Sequence, residues 1–265
     1  MLSGFGSSLI LPAVNRLFFV LFSIVLANFG AARLPAAPPP SGSQAASGST
    51  SSGENSAGTK LEQVLAGMDS AAARFLSVSA DLEYTKVTVI VDDHSTEQGK
   101  IFFEKSKGKP RVMLAFQQPA EKYVLFNDGK VSIYRPKIAE VEEYALANNQ
   151  GLLEQFLLLG FGTSGSELQK SYQVSVKGEE KLDGQTAIHL DLVPKNPSVS
   201  ARLQRIELWL SPETWQPLQQ KFLEPSKDFL VARYRNLVHN TKLAAKNFAL
   251  PLRGKVRTVR PQTGN

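Results

Sequence analysis

The sequence predicts a mainly β (α+β) protein: about eleven antiparallel strands behind an N-terminal helix, with an apolar helical insert midway. Three observations carry that expectation. Between residues 60 and 77, Leu61, Val64, Leu65, Met68, Ala72, Phe75 and Leu76 recur at steps of three and four, one face of a helix. From residue 80 the apolar period drops to two and β-branched residues accumulate. For roughly 25 residues after position 146 the strand pattern stops, and GLLEQFLLLGFG (151–162) stands there with only Glu154 and Gln155 strongly polar.

Each element has its own signal. Thr59 with Glu62 forms a capping box, so the helix is expected to start near Lys60. Strands are expected at 80–91, 99–107 and 110–118, with DDHSTEQ as a polar turn between the first two. Residues 122–136 read as a hairpin about Asp128-Gly129, which supplies the positive-φ positions a tight turn needs. Another strand follows at 139–146. After the insert, strands resume in SYQVSVKGEE, QTAIHLDLVPK, LQRIELWLSPE, QPLQQKFLE and KDFLVARYRNL, with LDGQ (182–185) as a turn and a short strand near KVRTV. A sheet that large curls or closes on itself, and a wide one leaves a cavity unless helices plug or cover it.

The N-terminus reads as an address. Arg16 precedes LFFVLFSIVLA (17–27), and small residues follow at Gly30 and Ala32, which together make a Sec-type signal peptide over 1–32. An uncleaved anchor is the alternative, although the run is short for a span of roughly 20 residues. Residues 33–58, rich in Pro, Ala, Ser and Gly, read as a disordered linker ahead of a domain over 59–261. The chain has no cysteine, which excludes disulfides, a thiol nucleophile and cysteine-bound zinc. The formal charge of +6 comes from cations spread along the chain, with no basic block, which argues against nucleic acid as a partner.

Local motifs follow one another in a set order. Lys109-Pro110 opens a strand that ends in Phe116 and then Pro119. Leu125, Phe126, Asp128, Gly129, Lys130, Tyr134 and Pro136 form the next hairpin, followed by an acid-rich strand from Glu140 to Tyr144 and the Leu/Phe-rich insert. IELWLSPETWQPLQQKF then makes a second strand-turn-strand. This order resembles the periplasmic lipoprotein carrier family, LolA-like and LolB-like, and the resemblance covers about 60–260. It implies an unclosed antiparallel barrel capped by helices around an apolar cavity that takes lipid acyl chains. It also implies acylated lipoproteins as cargo, an inner-membrane ABC-type releaser and an outer-membrane acceptor as partners, and the periplasm of a Gram-negative bacterium as location. In the family a basic residue before the strand-opening proline helps latch the lid. Lys109 occupies that place here, with a point charge where arginine would offer a planar fork.

The physical demand agrees with that reading. At about 0.8 kcal/mol per methylene, exposing a chain of roughly 16 carbons costs on the order of 13 kcal/mol. Crossing water therefore requires a shielded, openable apolar cavity. Strand alternation assigns Leu82, Phe103, Leu114, Phe116, Leu125, Ile133, Leu190, Leu208 and Phe222 to its lining. The insert, read as a helix over 151–161, adds Phe156, Leu157 and Phe161. Either that helix is a lid hinged at Gly151, Gly160, Gly162 and Gly165, or it is a static plug.

No catalytic group, metal or cofactor is expected. His94, His189 and His239 lack metal-ligand spacing, and His189 points outward from its strand. GTSGS (162–166) does not make a nucleophile elbow. The pairs Glu142-Glu143 and Glu179-Glu180 read as solvated strand edges, and Trp209 and Trp215 as packing residues. Three functions compete: a monomeric, diffusible carrier of acylated lipoproteins; a tethered module of the same fold that senses lipid or peptide; and an envelope hydrolase, for which no catalytic signal stands out.

Overall fold

The computed structural model describes residues 53–106, 109–146 and 159–261. The signal peptide, most of the linker, and Phe156 and Leu157 of the insert lie outside the described residues. Glu54–Pro261 forms one compact unit. Helix α1 (Gly53–Arg74) precedes β1 (Ser77–Thr88), β2 (Asp93–Ser106), β3 (Lys109–Gln118), β4 (Lys122–Asn127), β5 (Lys130–Arg135) and β6 (Glu140–Ala145). After residue 159 come helix α2 (Gly165–Ser171), β7 (Tyr172–Leu182), β8 (Gln185–Pro194), the short helix α3 (Pro197–Ser200), β9 (Arg205–Leu210), β10 (Pro217–Leu223), β11 (Phe229–His239) and β12 (Arg257–Val259).

The strands join in one unclosed sheet of order β12-β6-β5-β4-β3-β2-β1-β11-β10-β9-β8-β7. Two meanders, β1 to β6 and β7 to β11, meet where β1 pairs with β11. These eleven strands pair antiparallel throughout, and β12 adds three residues parallel to β6, which makes the sheet mixed. The two Asp-Gly turns close their hairpins with positive φ at both residues, Asp128 and Gly129 (49° and 71°) and Asp183 and Gly184 (49° and 83°). This backbone twist matches that of the flanking strands.

Two boundaries differ from the sequence reading. The helix begins at Gly53, so Thr59 lies inside it and does not cap it, and residues 53–58 extend α1 into the expected linker. Strand β1 stops at Thr88, and the β-branched run Val89–Val91 forms a 3-10 turn that Asp92 ends in the left-handed region at φ 50°. The Val89 N–H donates to the Asp228 carboxylate at 2.9 Å. DDHSTEQ is consequently strand from Asp93 onward, because the reversal happens one step earlier, at the apolar run.

Antiparallel pairing sorts the turns between the two ends of the sheet. One end carries 89–92, 119–121, 136–139, 195–204 and 224–228; the other carries 128–129, 183–184 and 211–216. The face away from α1 is closed in part by the C-terminal segment. There Phe248 is buried with the Arg111 guanidinium 4.5 Å from its ring centroid. Nearby, the Arg253 N–H donates to the hydroxyl of fully buried Tyr134 at 3.2 Å. On the same face of the second meander, Trp209 packs with Ala187 and Leu218. His189, as the alternation predicts, lies on this outward face; it stacks on Trp209 at 4.3 Å, and both donate or bond to Glu180. Those two hydrogen bonds, Trp209 first, hold the Glu180 carboxyl below its usual range.

Candidate functional site: a covered apolar inner face with one charged end

The inner face of the sheet is the one that Phe75, Leu159 and Phe161 cover. Residues that pair directly across an antiparallel ladder share a face, so the register fixes its membership. In the first meander, one row reads Val78, Phe103, Val112, Phe126, Val131 and Tyr144, and the next reads Ala80, Ile101, Leu114, Val124, Ile133 and Glu142. In the second, Leu82 pairs with Tyr234, Gln220 with Leu208, Leu208 with Leu190, and Phe222 with Ile206 and Leu230. Leu82, Phe103, Leu114, Phe116, Ile133, Leu190, Leu208 and Phe222 from the sequence-derived set all fall on this face, and all are buried.

Leu125 does not. It pairs with Met113 and Ser132 on the opposite face and is half-buried, while its neighbours Val124 and Phe126 point inward. The cause is register: a one-residue change of parity turns a side chain over.

The insert's end folds onto this face. Leu159 and Gly160 form a turn and Phe161 and Gly162 a bend, not the helix expected to run through 161. Phe161 meets the Tyr234 ring edge-on at 4.9 Å, and Phe75 lies 5.1 Å from the Phe103 ring. Gly160 and Gly162 have φ of 86° and 63°. A Cβ at Gly160 would stand 2.7 Å from Pro217, and one at Gly162 would stand 2.6 Å from Phe75, so both positions need glycine for space as well as for backbone. Gly165 starts α2 against the Leu65 backbone of α1, where Ser164 and Glu167 make a reciprocal capping box.

Three polar side chains hold or border this cover, and the alternation reading missed them. Gln220, fully buried, donates from Nε2 to the Leu159 carbonyl and accepts from the Tyr234 hydroxyl at 2.8 Å. Burial pushes the Tyr234 phenol well above its ordinary range. Lys105 Nζ donates to the Gly162 carbonyl at 3.0 Å. The latch position expected at Lys109 is the first residue of β3, and its side chain lies outside the described residues. The lysine that reaches the cover is Lys105 on the neighbouring strand, whose ladder partner Pro110 is the residue next to Lys109.

Toward the end of the sheet that carries turns 119–121 and 136–139, the inner face becomes charged. Lys122 Nζ bonds both Glu97 oxygens at 2.6 Å and sits 4.7 Å from the Phe116 ring centroid. Burial lowers the Lys122 pKa against the opposing pull of Glu97. Arg135 pairs with Glu142 at 2.8 Å, Glu142 accepts from the Tyr144 hydroxyl at 2.9 Å, and Glu140 pairs with Arg257. Burial, then the Glu142 bond, pushes the Tyr144 phenol up to about 12. These charges alternate in sign and satisfy one another. An apolar floor with a polar end can accommodate an amphiphile.

The comparisons with known proteins fit that geometry. The crystal structure of MucB is similar in fold, at 18% identity and a TM-score of 0.50, over 75% of this chain and 66% of that one. This chain thus spans just under two thirds of MucB's length. Also similar are LprF from Mycobacterium bovis (12% identity, TM-score 0.44, 72% of this chain and 98% of that one) and a LolA-superfamily protein from Nitrosomonas europaea (13%, 0.35, 72% and 97%). No curated protein matches the sequence. The family model described as outer membrane lipoprotein carrier protein LolA matches residues 81–251, well over half of the chain. The chain belongs to the LolA family.

Proposed function

We propose that this protein is a periplasmic carrier that holds the acyl chains of lipoproteins against its inner face and moves them from the inner to the outer membrane. The observation that carries the reading is the inner face itself: aliphatic and aromatic side chains from both meanders, covered by a short segment that a few polar contacts hold. Family membership supports the same cargo class. Residues 1–32 act as the export signal and 33–52 as a tether left on the mature protein. Partners follow from the family: an ABC-type releaser in the inner membrane and an acceptor in the outer one.

The test is extraction of the protein purified from the envelope, with mass spectrometry of what it carries, alongside release of lipoproteins from spheroplasts by added protein. Acyl-bearing lipid in the extract together with release is the expected result. A lipid-free protein that releases nothing overturns the carrier reading.

A second reading rests on the fold likeness to MucB, a protein also crystallised in complex with MucA. On that reading this chain is a tethered sensor. An intact N-terminus retained in the inner membrane favours it; a mature N-terminus near Arg33 favours the carrier.

A further inference from the structure

From the distribution of exposed apolar side chains we infer that the end of the sheet bearing turns 89–92 and 136–139 docks on a lipid bilayer. Ile90 is 90% exposed, Val91 68% and Ile138 59%, with Val89 also exposed. Large apolar groups left in water at this level mark interaction surfaces. Both turns have the same construction. Each is a three-residue 3-10 turn entered from extended backbone and closed by a left-handed residue, Asp92 at φ 50° and Ala139 at φ 48°. The fold therefore aims their apolar side chains outward by fixed backbone geometry. Leu252, also exposed, reaches the same end, since Arg253 beside it pairs with Glu121 in turn 119–121 at 3.2 Å. Leu76, just before β1, and Val238, on β11, are exposed at the other end and lie on no projecting turn.

Shape and charge select the occupant. The turns are centred four strand spacings apart along the sheet, or about 19 Å at the usual strand spacing. They are separate points, with turn 119–121 between them at the same end. A bilayer interface accepts such points at any spacing, because each tip sinks independently among the head groups. The charges on the five turns of this end balance, with Lys137, Lys195, Arg202 and Lys227 against Asp92, Glu121, Glu224 and Asp228, so docking does not depend on anionic lipid. The charged inner residues Glu97, Lys122, Arg135 and Glu140 lie at this same end, directly behind the tips. The end that touches the membrane is thus also the end where an amphiphile's polar part finds charges and its chains find Ile101 and Phe103 beyond. The inference deepens the carrier reading, on which its role in loading rests.

The chain has no cysteine, so single replacements Ile90→Cys, Ile138→Cys and, at the opposite end, Gln185→Cys each take one environment-sensitive fluorophore. The exported protein is mixed with vesicles of phosphatidylcholine and phosphatidylethanolamine, and with the same lipids plus phosphatidylglycerol. A blue-shifted rise at positions 90 and 138 with both vesicle types, and none at 185, is expected. The unlabelled double variant Ile90→Asp, Ile138→Asp should bind vesicles about tenfold or more weakly, while keeping its melting temperature. No shift with either vesicle, an equal shift at 185, or a shift confined to phosphatidylglycerol overturns the inference. Lipid extraction separates it from the carrier reading. Lipid in the extract without a tip shift sinks docking alone; a tip shift in a protein that never carries lipid sinks the carrier alone.

Discussion

Replacing Gln220 with leucine tests whether the cover on the inner face is held by a bond or by packing alone. The side chain is buried and serves two groups, the Leu159 carbonyl and the Tyr234 hydroxyl. Leucine fills similar space and pairs with neither. Each buried group left unsatisfied costs about 1–3 kcal/mol, so Gln220→Leu should lose roughly 3 kcal/mol. For a domain of this size that is about 6–12 °C in Tm. Urea unfolding should show the loss with an unchanged m-value. The share borne by the Leu159 carbonyl belongs to the cover, so amide exchange at Phe161 to Ser164 should quicken about tenfold or more, beyond the change in the central strands. Adding Tyr234→Phe removes the orphaned hydroxyl, and the double variant should be about 1–2 kcal/mol more stable than the two single losses summed. A loss under about 1 kcal/mol, with exchange at 161–164 unaltered, would refute the reasoning: the cover would then rest on Phe161 and Leu159 packing alone.

Three further perturbations probe the same architecture. Glu97→Gln strands a buried ammonium on Lys122 and should cost about 3–5 kcal/mol. Because Lys122 already has a lowered pKa from burial, the unfolded chain holds its proton more tightly, stability gained from losing it rises with pH, and the deficit against wild type should shrink as pH climbs toward about 10; a deficit constant with pH contradicts this. Leu114→Glu, inward, should abolish lipid recovered on extraction, whereas Leu125→Glu, outward, should leave it intact; the reverse outcome would invert the register assignment. Gly67→Ala improves helix propensity by about 1 kcal/mol, yet its Cβ would stand 2.3 Å from the Trp215 ring, so a net loss of about 1–2 kcal/mol with altered tryptophan emission is expected, and a stabilised variant would show the contact to be dispensable.

The eleven antiparallel strands and the parity of most inward residues were legible because alternation and the two Asp-Gly turns are local signals. Leu125 shows how far such signals reach. A two-residue turn at 128–129 pairs Asn127 with Lys130, hence Val124 with Ile133. Ile133 and Leu125 therefore cannot share a face, a constraint contained in the hairpin but invisible to either strand read alone. The Val89–Val91 turn misled for a different reason: β-branched apolar residues belong to strands by propensity, and here they occupy a tip whose shape is set by Asp92 and by Asp228, far along the chain. Gln220, Lys105 and the Glu97–Lys122 pair were missed because alternation sends polar residues outward. Only their partners, brought near by the curled sheet, make inward placement affordable.

The cover's own energetics bear on how cargo enters. Phe75, Leu159 and Phe161 lie where acyl chains would rest. Lifting them into water costs roughly 2 kcal/mol each, about 6 in all, and the bonds from Gln220 and Lys105 add about 1 kcal/mol apiece. One acyl chain of roughly 16 carbons returns about 13 kcal/mol on burial. That return holds only for a chain that starts in water. On the proposed carrier reading the chains start in the inner bilayer, already buried, so their transfer returns about nothing and the cover's cost of about 8 kcal/mol stands against loading. Loading then needs an energy input, the part an ABC-type releaser would play, and unloading into an outer bilayer is favoured by the cover's return.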